Sequence, residues 1–161
     1  MKNLNAQPQF FKVEPFNGES LSHFLGRFRR ENHIARSGTL GKLSGIGTAI
    51  GRWEKLFFNP PPTHQELEAL ALVIGLSIEQ VSHMIGVGIR SNPVWLCSAC
   101  YAEQPCHQAE WQSKFALKCD RHNLHLLAGC SECGQAFDIP ALWQSGRCSN
   151  CFTSFTQMSQ H

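Results

Sequence analysis

Cys97-Ser98-Ala99-Cys100 and, after eighteen intervening residues, Cys119-Asp120-Arg121-His122 are followed by Cys130-Ser131-Glu132-Cys133 and, after fourteen more, Cys148-Ser149-Asn150-Cys151. Two residues between ligands let both side chains of a tight turn point at one ion, and two such turns supply the four corners of a tetrahedron. The spacing therefore predicts two structural zinc sites: Cys97, Cys100, Cys119 and His122 in one, Cys130, Cys133, Cys148 and Cys151 in the other. Unpaired buried cysteines are the plainer alternative. Gly134, directly after the third pair, suits a turn in which backbone amides approach thiolates. An interlocked pairing, as in RING domains, asks for two or three residues between the histidine and the next cysteine, and seven separate His122 from Cys130. Two sequential zinc ribbons, 93–128 and 129–161, are the expected arrangement. Four protein ligands per ion leave no open position for water, so the expected sites hold structure and do no chemistry.

All eight cysteines lie between Cys97 and Cys151, and the first 96 residues have none. The chain has 161 residues and a formal charge of +2, with ten basic against seven acidic residues up to position 96 and four against five beyond it. Seven thiolates with two Zn²⁺ would take the total to about −1. No apolar run is long enough to cross a bilayer, and the start, MKNLNAQPQFF, lacks the apolar core of a signal peptide. The expected location is the cytoplasm, where thiols stay reduced and metal is a better reading than a disulfide framework.

The first half reads as helices. After an N-terminal tail (1–19), a helical domain is expected over 20–92. In SLSHFLGRFRREN (20–32), Leu21, Phe24, Leu25 and Phe28 share one helical face, Ser20 is a natural N-cap, and His23, Arg27 and Arg30 fall on the opposite, solvated face. The glycines from Gly38 to Gly51 fail the spacing of a phosphate loop and of a dinucleotide fingerprint, and read as a flexible connector into a helix burying Ile50, Trp53 and Phe57. Between 27 and 55, Arg27, Arg29, Arg30, Arg36, Lys42, Arg52 and Lys55 face only Glu31 and Glu54. This is the patch able to supply phosphate contacts to RNA or DNA, or to meet an acidic protein.

Asn59 to Pro62 is a helix stop. Thr63 with Glu66, then Ser77 with Gln80, form two capping boxes around a GLS junction, with Leu67, Leu70, Ala71 and Ile74, then Ile78, Val81 and Ile85, turned inward. The pair has the pattern of a helix-turn-helix. Its second helix would expose Glu79, Gln80, Ser82 and His83, with no arginine or lysine to read guanine, so packing or partner binding is as good a use as base reading. Cys106, His107 and His125 stand outside the metal pairs, and no catalytic constellation emerges.

The phrases PFNGESLSHFLGRFRRENHI (15–34), GRWEKLFFNPPPTHQELEALA (51–71), LCSACYAEQPCHQAEWQSKFALKCDRH (96–122), LLAGCSECGQAF (126–137) and PALWQSGRC (140–148) resemble the TniQ family of transposon targeting subunits. The resemblance is closest to its short members from RNA-guided, CRISPR-associated transposons with a single-protein effector. It implies a non-catalytic adaptor that links the effector and its guide RNA to a filament of the AAA+ protein TnsC, which recruits transposase. It maps the family's ligands onto the eight Cys/His positions above. Longer members that read a fixed DNA site carry a further C-terminal region, and this chain ends ten residues after Cys151. A sequence-specific DNA-binding regulator is the alternative class, and a zinc enzyme the third.

Overall fold

The computed structural model describes residues 9–161. Six helices follow one another: α1 (Leu21–Glu31), α2 (Ser37–Ser44), α3 (Ala49–Glu54), α4 (His64–Ile74), α5 (Ile78–Ile85) and α6 (Ser98–Glu103). Three 3-10 turns, at Ala109–Gln112, Pro140–Leu142 and Phe155–Gln157, complete the regular structure together with isolated β-bridges. The protein is thus mostly helical, with little strand. Among the described residues no single helix is long and apolar enough to cross a membrane.

α1 is central. The Ser20 hydroxyl accepts from the His23 amide, and Leu21, Phe24, Leu25 and Phe28 are all fully buried among α2, α3, α4 and α5. The face expected in solvent is covered as well: His23 is 2% exposed, and Arg30 donates to the Ala141 carbonyl at 2.8 Å. The reason lies in the small residues between the apolar ones. A Cβ at Gly26 would stand 2.1 Å from the Ala141 carbonyl oxygen, and Ser22 accepts from the Ala141 amide while donating to the Glu54 carbonyl. The helix presents a bulky face to the other helices and a small, polar face on which the backbone at Pro140–Leu142 lies flat.

The stretch expected as a flexible connector is instead helix α2, closed by Gly45 in the left-handed region. Gly41 sits mid-helix, where glycine ordinarily costs about 1 kcal/mol. Here it accepts bonds from the Ile46 and Gly47 amides, and a Cβ would meet the Gly47 carbonyl oxygen at 2.1 Å. That close return turns the chain into α3, which buries Ile50 and Trp53 as expected but not Phe57. α3 ends at Glu54, Leu56 takes a left-handed conformation and points inward, and Phe57 is left 49% exposed.

Both capping boxes form, at Thr63/Glu66 and Ser77/Gln80, and α4 and α5 meet at 109°. Leu70, Ala71, Ile74 and Val81 are buried, Leu67, Ile78 and Ile85 partly so, and Met84 joins them. Glu79, Gln80, Ser82 and His83 are exposed.

A second core gathers Leu56, Val94, Leu96, Tyr101, Trp111, Leu126, Phe137, Trp143, Phe155 and Met158 with five cysteines. It draws on both segments expected as separate ribbons, so those segments share one core. Trp143 lies at its centre, edge-on to Tyr101, His107, Phe137 and Phe155. The two cores are stitched by a short pairing of Glu19 with Gln108, in which Ser20 donates to the His107 carbonyl and Ala109 to that of Gly18. The segment read as a tail is therefore part of the fold from Phe10, which packs on Phe28; residues 1–8 of it lie outside the described residues.

Candidate metal centres

Three of the four ligand pairs are built by the same turn. The amide of Cys119 donates to the Leu124 carbonyl and the Cys119 carbonyl accepts from Asn123. The same two bonds recur at Cys130 with Gln135 and Gly134, and at Cys148 with Thr153 and Phe152. Each turn places its fifth residue in the left-handed region: Asn123, Gly134 and Phe152. Gly134 signals this in the sequence and Asn123 does so more weakly, since asparagine tolerates the conformation, whereas Phe152 is strained in it. The remaining pair, Cys97 and Cys100, is held by the first turn of α6.

These turns bring the ligands into two sequential groups, Cys97/Cys100/Cys119/His122 and Cys130/Cys133/Cys148/Cys151, with all ligand atoms of each within 4.8 Å of one another. In the first, Cys100 Sγ lies 3.3 Å from Cys119 Sγ and 3.2 Å from His122 Nδ1, and Nδ1 is 3.8 Å from Cys97 Sγ. In the second, Cys130 and Cys151 are 3.5 Å apart and Cys133 and Cys148 3.6 Å. A tetrahedral ion with sulfur ligands at about 2.3 Å needs edges of about 3.8 Å, so both groups could hold a metal ion. The interlocked arrangement is not the one formed.

The two groups differ in their surroundings. Cys97, Cys100 and Cys119 are buried, whereas Cys133 and Cys151 are exposed. Burial pushes the Cys100 thiol up, and the Cys130 thiol up to about 11. The Asn150 side chain and the Gln135 amide bring Cys133 down to about 6. Buried thiols of this kind stay deprotonated only against a cation, so metal binding releases protons.

His122 turns Nδ1 to the thiols, and its Nε2 lies 2.7 Å from Glu103 Oε1; the other Glu103 oxygen accepts from Arg121 at 2.7 Å. A carboxylate on the far nitrogen fixes a ligand imidazole's tautomer and orientation. Sequence reasoning missed Glu103, although a helix starting in CSAC puts it one turn after Cys100.

The basic residues do not form one patch. Arg29 is buried in a two-pronged pair with Glu54, at 2.6 and 3.0 Å, and also donates to the Ile34 and Ala35 carbonyls. Arg27 grips Glu19 through two nitrogens, both at 2.8 Å, and His23 meets the same carboxylate. Burial works to raise the Glu19 carboxyl, but the bonds from Arg27 and His23 outweigh it and hold it below the usual range. Arg36, Lys42 and Lys55 are exposed and Arg52 half-buried. Arg36 and Lys42 line a depression of about 570 Å³ with Ser37, Gly38 and Thr39 at the start of α2, where no side chain caps the first-turn amides.

Of the residues outside the pairs, Cys106 is fully buried and accepts from the amides of Gln104 and Gln108, burial pushing its thiol up to about 11. His107, also fully buried, bonds Ser20 and Gln112 and is pushed down to about 3 by burial. His125 is exposed. In comparisons with known proteins, no family model and no curated sequence matches the chain.

Proposed function

We propose that this chain is a non-catalytic targeting adaptor of the TniQ kind, carrying two Zn²⁺ ions in tandem ribbons and a helix-turn-helix in α4 and α5. In this reading it works in the cytoplasm, joining an RNA-guided effector to the end of a TnsC filament so that transposase is recruited. One observation carries it: three of the five phrases of the resemblance meet at a single seam. PFNGES pairs with CHQAEWQ through Glu19 and Gln108, and SHFLGRFRR receives PALW, with Ala141 on Gly26 and Trp143 against His23. Phrases far apart in sequence are thus one structural unit, and between them they carry the residues that join the two cores. Ligand sets that close around their ions favour a structural use of the metal over catalysis.

For phosphate contacts the reading now rests on Arg36, Lys42, Arg52 and Lys55, since Arg27, Arg29 and Arg30 are engaged within the protein. The test is pull-down of TnsC filaments and of guide RNA by the parent and by an Arg36→Glu, Lys42→Glu, Lys55→Glu variant across a salt series. The parent should bind both, with RNA affinity falling by roughly 0.7 in log K per log salt for each phosphate neutralised, and the variant should show a shallower slope. Failure of the parent to bind TnsC overturns the adaptor reading. Sequence-selective binding to duplex DNA alone would favour the regulator.

A further inference from the structure

A groove of about 450 Å³ runs between Leu56–Pro62 and Ile85–Ser91, lined by Phe57, Phe58, Pro61, Pro62, Val87 and Ile89 among others. Its rim is apolar and open: Val87 is 85% exposed and Phe57 49%. One wall is the edge of an isolated β-bridge. Ile89 bridges Ser113 in antiparallel sense, with Arg90 donating to the Gln112 carbonyl and the Lys114 amide donating to Gly88. In that pattern the residues on either side of Ile89 face the paired segment, and the N–H and C=O of Ile89 itself point the other way. Neither has a hydrogen-bond partner among the described residues. None of 112–114 lines the groove, which therefore lies along the free edge.

We propose that this groove docks an extended segment of a partner protein by strand addition, the segment carrying alternating apolar side chains and no charge at its centre. The free N–H and C=O of Ile89 suit an extended segment, one residue of which returns both bonds, and the apolar floor suits its alternate side chains. No ionisable side chain lines the groove. Within 55–62 and 85–91 the ionisable residues are Lys55 and Arg90. The Arg90 guanidinium is taken up by the Trp111 and Ala116 carbonyls and the Trp95 ring, so the exposed charge is that of Lys55, and an acidic residue is favoured at the end of the occupant that lies toward it. A second copy would present the same concave surface and leave the groove unfilled. The chain's own first residues, MKNLNAQP, offer only Met1 and Leu4 as large apolar side chains before the proline.

This inference goes beyond the adaptor reading and stands apart from TnsC binding. The experiment pans a displayed library of random decapeptides on the zinc-loaded full chain. Enriched peptides should alternate β-branched or aromatic residues with polar ones and carry an acidic residue at one end. Their binding should weaken at least about tenfold in Val87→Asp, a change at an exposed position that leaves folding intact, since it sets a charge on the apolar wall. Amide exchange at Ile89 should slow on binding. No enrichment, binders indifferent to Val87→Asp, an Ile89 amide left unprotected, or a dimer in sedimentation that Val87→Asp dissolves would each overturn the proposal.

Discussion

Glu54→Gln withdraws one charge from a pair whose side chains are 11% and 5% exposed, and leaves the Arg29 guanidinium buried without a counter-ion. Breaking a buried pair from one side costs about 3 to 5 kcal/mol. Arg29 keeps its bonds to the Ile34 and Ala35 carbonyls and the amide can still accept one hydrogen bond, which places the loss near the lower end, about 3 kcal/mol. For a chain of this size that is a fall in midpoint of about 6 to 12 °C. The assay is thermal and urea unfolding followed by circular dichroism, with zinc held constant. In a cycle closed by the singles Arg29→Met and Glu54→Leu, the double variant Arg29→Met, Glu54→Leu should be less destabilised than their sum, giving a coupling of about 1 kcal/mol or more. A single variant within about 1 °C of the parent, or strictly additive singles, refutes the argument. Unchanged stability with weakened partner binding would return Arg29 to the surface role that its sequence neighbours suggest.

Elemental analysis should find two zinc ions per chain, and Cys130→Ser with Cys133→Ser should lower this to one; a single ion in the parent would overturn the two-site reading. Glu103→Gln should weaken the first site alone, by about 10- to 100-fold in metal affinity measured against a chromophoric chelator, and an unchanged constant would show that Glu103 does not orient His122. His107 has a folded pKa of about 3 against an ordinary 6.5, so its contribution is complete above the ordinary value and is lost as the pH falls toward the folded one. Below about pH 6.5 the parent should lose roughly 1.4 kcal/mol per pH unit more than His107→Gln, and parallel curves of stability against pH would contradict the burial.

The caps, the α1 stripe and the ligand pairs were legible because each is local, with its partners within a few residues. Thr63 with Glu66 and Ser77 with Gln80 announce themselves at a spacing of three, and C-x2-C needs no tertiary context. What the sequence hid is non-local. The helix at Ser37–Ser44 contains two glycines, and Gly41 is favoured only because Gly47 returns against it. Arg27 and Arg30 share a face on a helical wheel, with Arg29 beside Leu25 at the edge of the apolar stripe, and nothing local tells the three apart as to partner. Their fates are set by Glu19, Glu54 and the Ala141 carbonyl, and that carbonyl lies more than a hundred residues from the arginine it receives. Glu103 was missed for the same reason, since its ligand partner follows nineteen residues later.

The seat that α1 provides for Pro140–Leu142 has a consequence during synthesis. Gly26 leaves the ribosome with its small face bare, and the residue that covers it, Ala141, follows 115 positions later. At about 5 to 20 residues per second, that is an interval on the order of 6 to 23 s, long against helix formation and hydrophobic collapse. The helical half therefore condenses on its bulky side first and waits, with His23 and Gly26 unshielded, until Ala141 and Trp143 emerge and seat against them. Nascent chains should therefore be caught by chaperones at α1, far upstream of the segment that completes its burial.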